Sequence, residues 1–358
     1  MSLDGGGTLS IQWINGLGDK WGIRSVNGEF GGCIFALQDN RGYLSDDGWT
    51  GLKGRVSVDF NRLSSLLPLQ MAEGIKKLKL NSLFAIEGDF WINSDYGKSF
   101  FDTLSFKGKL LGNEAVIKGY QLKKVQADLQ YIPNRLDVQN FIVEDPAVSV
   151  KVPSGVVAFD QNEDCWGFSF PQVEVRNLKP SLLRDTETSS PMSPKFRSLI
   201  VKKIDFQNLK GNVDEVSTWQ AEGSLQFLNS SRKNALQALF AIPAEILLRV
   251  GLDPQVLNPV KGMVFFDLQG DRFYLRRFRD VFSEGRGSKF YLVGPNPSWI
   301  DFDGNLSVNI RMKHYNLIFK ITELFTFSIH GNIKKPLYGL QRQPKVSRKG
   351  RSAMMRQV

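Results

Sequence analysis

Ile300-Asp-Phe-Asp-Gly-Asn-Leu-Ser-Val-Asn-Ile-Arg-Met312 alternates apolar and polar residues without interruption. Ile300, Phe302, Gly304, Leu306, Val308, Ile310 and Met312 share one parity; Asp301, Asp303, Asn305, Ser307, Asn309 and Arg311 share the other. Side chains of a strand switch faces at every residue, so the stretch reads as one long strand, greasy on one side and wet on the other. At ~3.3 Å per residue such a strand runs on the order of 40 Å, about twice the ordinary length. It needs neighbours of similar length, and its apolar face needs a cover.

The same period recurs along the chain. Val56, Val58 and Phe60 alternate with polar neighbours, as do Val125, Ala127, Leu129 and Tyr131, then Trp166, Phe168 and Phe170. Trp219, Ala221, Gly223, Leu225 and Phe227 form another long series, followed by Val264, Phe266 and Leu268. After Met312 come Leu317, Phe319 and Ile321, then Phe325, Phe327 and Ile329. Pro133-Asn134, Gly270-Asp271, Gly294-Pro295 and Gly331-Asn332 punctuate them as turns. Short connections favour antiparallel hairpins and meanders over β-α-β units. Helical signals are few: a turn or two at Asn61–Leu67 stopped by Pro68, and a helical insert over 231–250 capped by Ser230 or Ser231. The insert reads more readily as a plug on the sheet than as a partner-binding helix. The expected architecture is mainly β: an elongated, strongly twisted antiparallel sheet forming an open apolar groove, with one or two short helices. Thr186–Pro194 is the best break, dividing a front β segment (1–185) from a back one (199–340) across a linker or long loop at 186–198, with a basic tail at 341–358.

Composition narrows the chemistry. The 358 residues include 26 Phe but only two His, which suits packing or lipid contact better than acid–base catalysis. The net charge of +10 suggests nucleic acid or a membrane surface, yet eight basic residues and no acid follow from Lys334 onward, leaving +2 for the rest. No apolar stretch is long and clean enough for a membrane helix; Ala235–Val250 is interrupted by Gln237, Glu245 and Arg249. Met1-Ser-Leu-Asp4 leads at once into Gly5-Gly6-Gly7 and a strand-like Leu9-Ser-Ile11, an opening expected of a piece of a longer polypeptide anchored upstream. Cys33 and Cys165 fit no disulfide framework or zinc spacing; they are either small buried hydrophobes or one bridge.

No catalytic constellation emerges. His314 and His330 have no partner at metal spacing, and there is no nucleophile elbow and no phosphate loop. Asp301 and Asp303 share a strand face as paired carboxylates would, but Asn305, Ser307 and Asn309 continue that face, so it reads as solvated surface. No metal or cofactor is expected. In the tail, Lys345, Arg348, Lys349 and Arg351 could meet anionic headgroups at ~1 kcal/mol each, with a solvated extension as the plainer reading. Nucleic acid is disfavoured as a partner, because no aromatic residue is interleaved with the tail's charges after Tyr338.

The C-terminal third resembles AsmA-like proteins, the bacterial envelope family that includes TamB-type lipid-transfer proteins. The resemblance rests on Gly262-Met-Val-Phe-Phe-Asp-Leu-Gln-Gly270 with Asp271-Arg-Phe-Tyr-Leu275, on Ser283-Glu-Gly-Arg-Gly287 with Phe290-Tyr-Leu292, and on Asp303-Gly-Asn-Leu-Ser-Val308. The ending Phe325-Thr-Phe-Ser-Ile-His-Gly331-Asn-Ile-Lys-Lys-Pro336 fits the family's closing pattern of an alternating strand, a glycine and then a proline. The resemblance implies long strands in an open trough that carries phospholipid between membranes in the periplasm, membrane-associated and without an enzymatic step. Phe266, Ile300, Phe302, Leu306, Val308, Ile310, Met312, Phe319, Phe325 and Phe327 would line the trough. The alternative is a structural or assembly factor for outer-membrane proteins, working by β-strand addition.

Overall fold

A computed structural model describes residues 7–15, 21–44, 49–63, 83–93, 100–117, 120–160, 162–179, 199–229, 259–283, 288–294, 296–315, 322–332 and 335–342. They form a single antiparallel sheet of 19 strands, as the alternation predicts. The first ten strands are β1 (Leu9–Asn15), β2 (Trp21–Phe30), β3 (Cys33–Leu44), β4 (Trp49–Asp59), β5 (Leu83–Asn93), β6 (Leu104–Ile117), β7 (Tyr120–Ile132), β8 (Arg135–Asp145), β9 (Val148–Asp160) and β10 (Cys165–Leu178). The remainder are β11 (Leu199–Asn212), β12 (Gln220–Asn229), β13 (Pro259–Gln269), β14 (Arg272–Ser283), β15 (Ser288–Leu292), β16 (Ser298–Asp301), β17 (Asn305–Tyr315), β18 (Thr322–Asn332) and β19 (Lys335–Arg342).

The pairing is a meander in which each strand lies beside its predecessor in the chain, with one exception. Short β15 and β16 share a single place in the sheet: both pair with β14 on one side and with β17 on the other. Among the described residues, β1 and β19 each pair on one side only. β10 and β11 pair directly, so the sheet continues across the 186–198 segment that reads as a linker, a segment outside the described residues. One α-helical turn, Phe60–Leu63, follows β4 where a short helix is expected; the 231–250 insert lies outside the described residues.

The decisive stretch is not one strand. β16 ends at Asp301, Phe302–Gly304 form a turn, and β17 begins at Asn305. Gly304 takes the left-handed φ of 81° that this turn needs, and its N–H donates to the Asp301 carbonyl at 3.1 Å. Ile300 and Leu306 stand opposite each other across the hairpin. Directly opposed residues share a face of the sheet. A separation of six residues, being even, therefore carries the apolar phase through the turn, and the hairpin mimics a single strand.

Three apolar clusters stabilise one face. Val26, Leu37, Leu52, Val56 and Phe90 anchor the first, Phe84, Val125 and Val143 the second, and Val281, Phe290, Leu306, Ile310, Met312, Phe327 and Ile329 the third. The opposite face carries most of the charged side chains. There, Lys53, Asp89 and Lys107 lie side by side on β4, β5 and β6, and Arg55, Glu87, Lys109 and Asp128 do so on β4 to β7, opposite charges facing at each step.

Candidate functional site

The apolar face changes character along the sheet. In the third cluster, Leu306 and Val308 are 3% and 4% exposed, Ile310 and Met312 are 1% and 0%, and Phe327 is 3%. Those expected lining residues are packed core. Phe266 is buried as well, and Ile300 packs half-buried against the same cluster. Phe302 lies in the turn and is 48% exposed, a correction to its place on a strand. Phe325 sits in β18 opposite Met312; Phe319 and the tail residues Lys345, Arg348, Lys349 and Arg351 lie outside the described residues.

Between the buried clusters runs a lane of half-buried apolar side chains. Val125, Val143, Val150, Val175, Ile204, Leu225, Val264 and Phe278 are opposed one to the next from β7 to β14. Val125 and Val143 are buried and the other six only partly so. With strands ~4.8 Å apart, this row crosses on the order of 34 Å of sheet. A parallel row, Tyr131, Leu136, Val157 and Phe168, crosses β7 to β10, each member half-buried.

Glycines let aromatic rings lie down on this face. A Cβ on Gly155 would overlap the Phe170 ring, one on Gly223 the Phe266 ring, and one on Gly112 the Phe84 ring. Each ring occupies space above a neighbouring strand that any larger residue would take. Phe206 and Phe266, from β11 and β13, meet edge to face above Gly223 with centroids 5.5 Å apart. Contacts continue from Phe266 to Phe273 (5.3 Å), Phe302 (5.4 Å), Trp219 (6.3 Å), Phe168 (5.4 Å) and Phe170 (5.7 Å). Seven rings thus form one chain towards the end of the sheet that carries the tight turns. The sequence shows the glycines and the aromatics, but which ring roofs which glycine depends on strand register.

The titratable groups form no convergent set among the described residues, and no group of three or more His, Cys, Asp or Glu side chains could hold a metal. His330 Nδ1 lies 3.1 Å from the Ser307 hydroxyl on the exposed polar face, with no described carboxylate contacting the ring. Asp301 is a turn cap: its carboxylate accepts from the Asn305 backbone N–H at 2.7 Å and from Asn305 Nδ2 at 2.9 Å. Burial pushes the Asp301 carboxyl up, but these bonds, the Asp303 N–H and the Arg272 charge outweigh it and hold the group below the usual carboxylate range. Cys33 and Cys165 are both free thiols, which settles the open choice against a bridge between them. Burial, then the Asp59 charge, pushes Cys33 up to about 11, leaving it a protonated core residue. Two shallow concavities of about 760 and 850 Å³ open on the polar face, lined by groups such as Glu222, Asp267 and Arg276, or Arg55 and Glu87, that pair with one another.

Compared with known proteins, the chain matches no family model, no curated protein and no solved structure.

Proposed function

We propose that this chain is a non-enzymatic lipid-binding and lipid-transfer protein of the bacterial cell envelope. Its apolar face shields phospholipid acyl chains from water, in the manner of the AsmA-like proteins that its C-terminal third resembles. The observation that carries this reading is the lane from Val125 to Phe278, whose six half-buried members keep apolar surface in reach of a ligand. Each acyl CH₂ taken from water onto such a surface contributes ~0.8 kcal/mol, so hydrocarbon alone supplies the affinity and no reacting group is needed. The flat-lying rings of Phe170 and Phe266 suit this role, because they add apolar area without standing up into the lane.

The test is lipid carried through purification. Extraction and mass spectrometry of the purified chain should find phospholipid, and Val175→Glu with Ile204→Glu should lower the amount bound while thermal unfolding stays cooperative. A folded chain that carries none, or a double variant that carries as much as the parent, overturns the reading.

Strand addition to outer-membrane proteins remains a second reading, because β1 and β19 pair on one side only among the described residues. A photocrosslinker at Leu337 on β19, 71% exposed, would then capture a β-barrel client and not lipid.

A further inference from the structure

Outside the tail the chain is almost neutral, but its charge is segregated along the strands. At the end that carries the β9–β10, β11–β12, β13–β14 and β16–β17 turns, the acids Asp160, Glu163, Asp164, Asp214, Glu215, Asp271 and Asp303 outnumber the cations Arg135, Arg272 and Lys335 at the starts of β8, β14 and β19. At the opposite end, the polar face of β13, β14, β15 and β17 carries Lys261, Arg277, Arg279, Lys289, Arg311 and Lys313.

We propose that this cationic end of the polar face docks on an anionic phospholipid membrane surface. Three observations carry it. First, strand register gathers six cations on one part of the polar face. Asp280 lies among them, 3.8 Å from Arg279 and 3.7 Å from Lys289. Lys289 and Lys313 are direct cross-strand partners, so the register sets two lysines side by side on this face. The Arg311 Nε is buried, and no hydrogen bond or ion pair among the described residues engages it.

Second, the patch mixes cations with apolar bodies as an interfacial surface does. Met263 and Phe265 on β13 stand opposite Arg279 and Arg277, and Phe282 stands opposite Lys261 and Lys289. The Arg277 guanidinium lies 4.5 Å over Phe265, and the Lys289 ammonium lies 5.1 Å over Phe282 and 5.6 Å over Tyr291. Because cations occupy those ring faces, nucleobases have no stacking platform there, which favours lipid headgroups over nucleic acid.

Third, β19 runs from the tight-turn end to this end, where Arg342 pairs opposite Phe325, and Lys345, Arg348, Lys349 and Arg351 follow in the sequence. The basic tail therefore departs from the end of the sheet that already carries the cationic patch. The acidic opposite end would point away from the same anionic surface, so the charge separation orients the molecule as well as attracting it.

The inference deepens the lipid-handling reading by naming the surface that meets the bilayer, and it is read out by vesicle association, not by acyl-chain uptake. The experiment is co-sedimentation of the full chain with phosphatidylcholine vesicles containing or lacking phosphatidylglycerol. Binding should require phosphatidylglycerol and weaken with salt. Arg277→Gln with Arg279→Gln should reduce partitioning about twenty-five-fold, at roughly fivefold per basic side chain near the surface. Lys107→Gln with Lys109→Gln, the same charge loss elsewhere on the polar face, should leave it within about twofold of the parent. Should the arginine pair fail to fold, Lys261→Gln with Arg279→Gln takes its place. Equal weakening by both pairs, no weakening by either, or retention of a single-stranded oligonucleotide while vesicles are ignored would each overturn the proposal. Purified Arg277→Gln/Arg279→Gln chain should still carry lipid, so its loss of vesicle binding is separable from a failure of the acyl-chain reading.

Discussion

Trp219 and Phe302 meet edge to face with ring centroids 6.3 Å apart, although one ends the β11–β12 connection and the other sits in the β16–β17 turn. Phe302 also contacts Phe273 at 5.4 Å, so a turn residue that is nearly half exposed ties together hairpins that are not neighbours in the sheet. Tight turns alone would leave each hairpin end to move independently.

An aromatic pair of this geometry contributes about 0.5–1.5 kcal/mol beyond the area it buries. A double-mutant cycle of Trp219→Leu and Phe302→Leu in urea should therefore return a coupling energy of about that size. By contrast, Ile310→Ala, which opens a cavity in the sealed third cluster, should cost about 2–5 kcal/mol. A coupling energy of zero would mean that the two rings are neighbours without cooperation.

The sequence made the strands legible because period-2 patterning follows directly from the geometry of the extended chain. Its failure between Ile300 and Met312 has an equally simple cause. Asp303-Gly304 is a turn signal, but the even spacing of Ile300 and Leu306 leaves the alternation in phase on both sides of it. Burial was less legible than facing. Leu306, Val308, Ile310 and Met312 all point to the apolar side, as their parity requires, yet whether a side chain there is sealed or open depends on what packs above it. Val175 and Ile204, with the same apolar parity, are only partly buried. The cationic end was hidden for a different reason: Lys261, Arg279, Lys289 and Lys313 are far apart in the chain, and only strand register gathers them.

Gly155 tests whether the flat-lying rings matter for stability. The atoms nearest a Cβ at this position all belong to the Phe170 ring. Gly155→Ala should displace that ring and cost about 1–3 kcal/mol, as overpacking does. Phe170→Leu should recover part of the loss in the double variant, although alone it destabilises. Denaturant midpoints for the four proteins give the sign directly, and additive costs would show that the glycine serves only the backbone.

On the polar face, Glu174 receives Arg176 Nε at 2.6 Å and Lys203 Nζ at 3.0 Å, while Lys203 also reaches Asp205 at 2.8 Å. The Arg176 hydrogen bond, helped by Lys203 and opposed by burial, holds Glu174 below its ordinary value. A depressed carboxyl contributes stability that is fully present above its unfolded pKa and is lost as pH falls through the folded one. Lys203 is shifted up, first by its bond to Asp205 and then by Glu174, so its contribution is present below the ordinary lysine range and fades as pH climbs through the raised value. Glu174→Gln should lower the melting temperature at neutral pH and flatten its fall in acid. Parallel acid limbs for parent and variant would remove Glu174 from the account.

The two thiols should separate cleanly in a labelling experiment. Cys33 is buried, and with its thiol near 11 only about one molecule in a thousand is ionised there at pH 8. A thiol reagent should reach it only after unfolding. Cys165 is partly exposed and opens β10 beside Glu163, whose carboxylate accepts from Sγ at 3.8 Å. Burial first, then the charges of Glu163, Asp160 and Asp164 together with that hydrogen bond, raises its pKa. Labelling of the native chain should therefore give one slow phase from Cys165, slower than the same residue in urea. Glu163→Gln should accelerate that phase by removing a charge that opposes thiolate formation. An unchanged rate would mean that access to Sγ, and not its ionisation, limits the reaction.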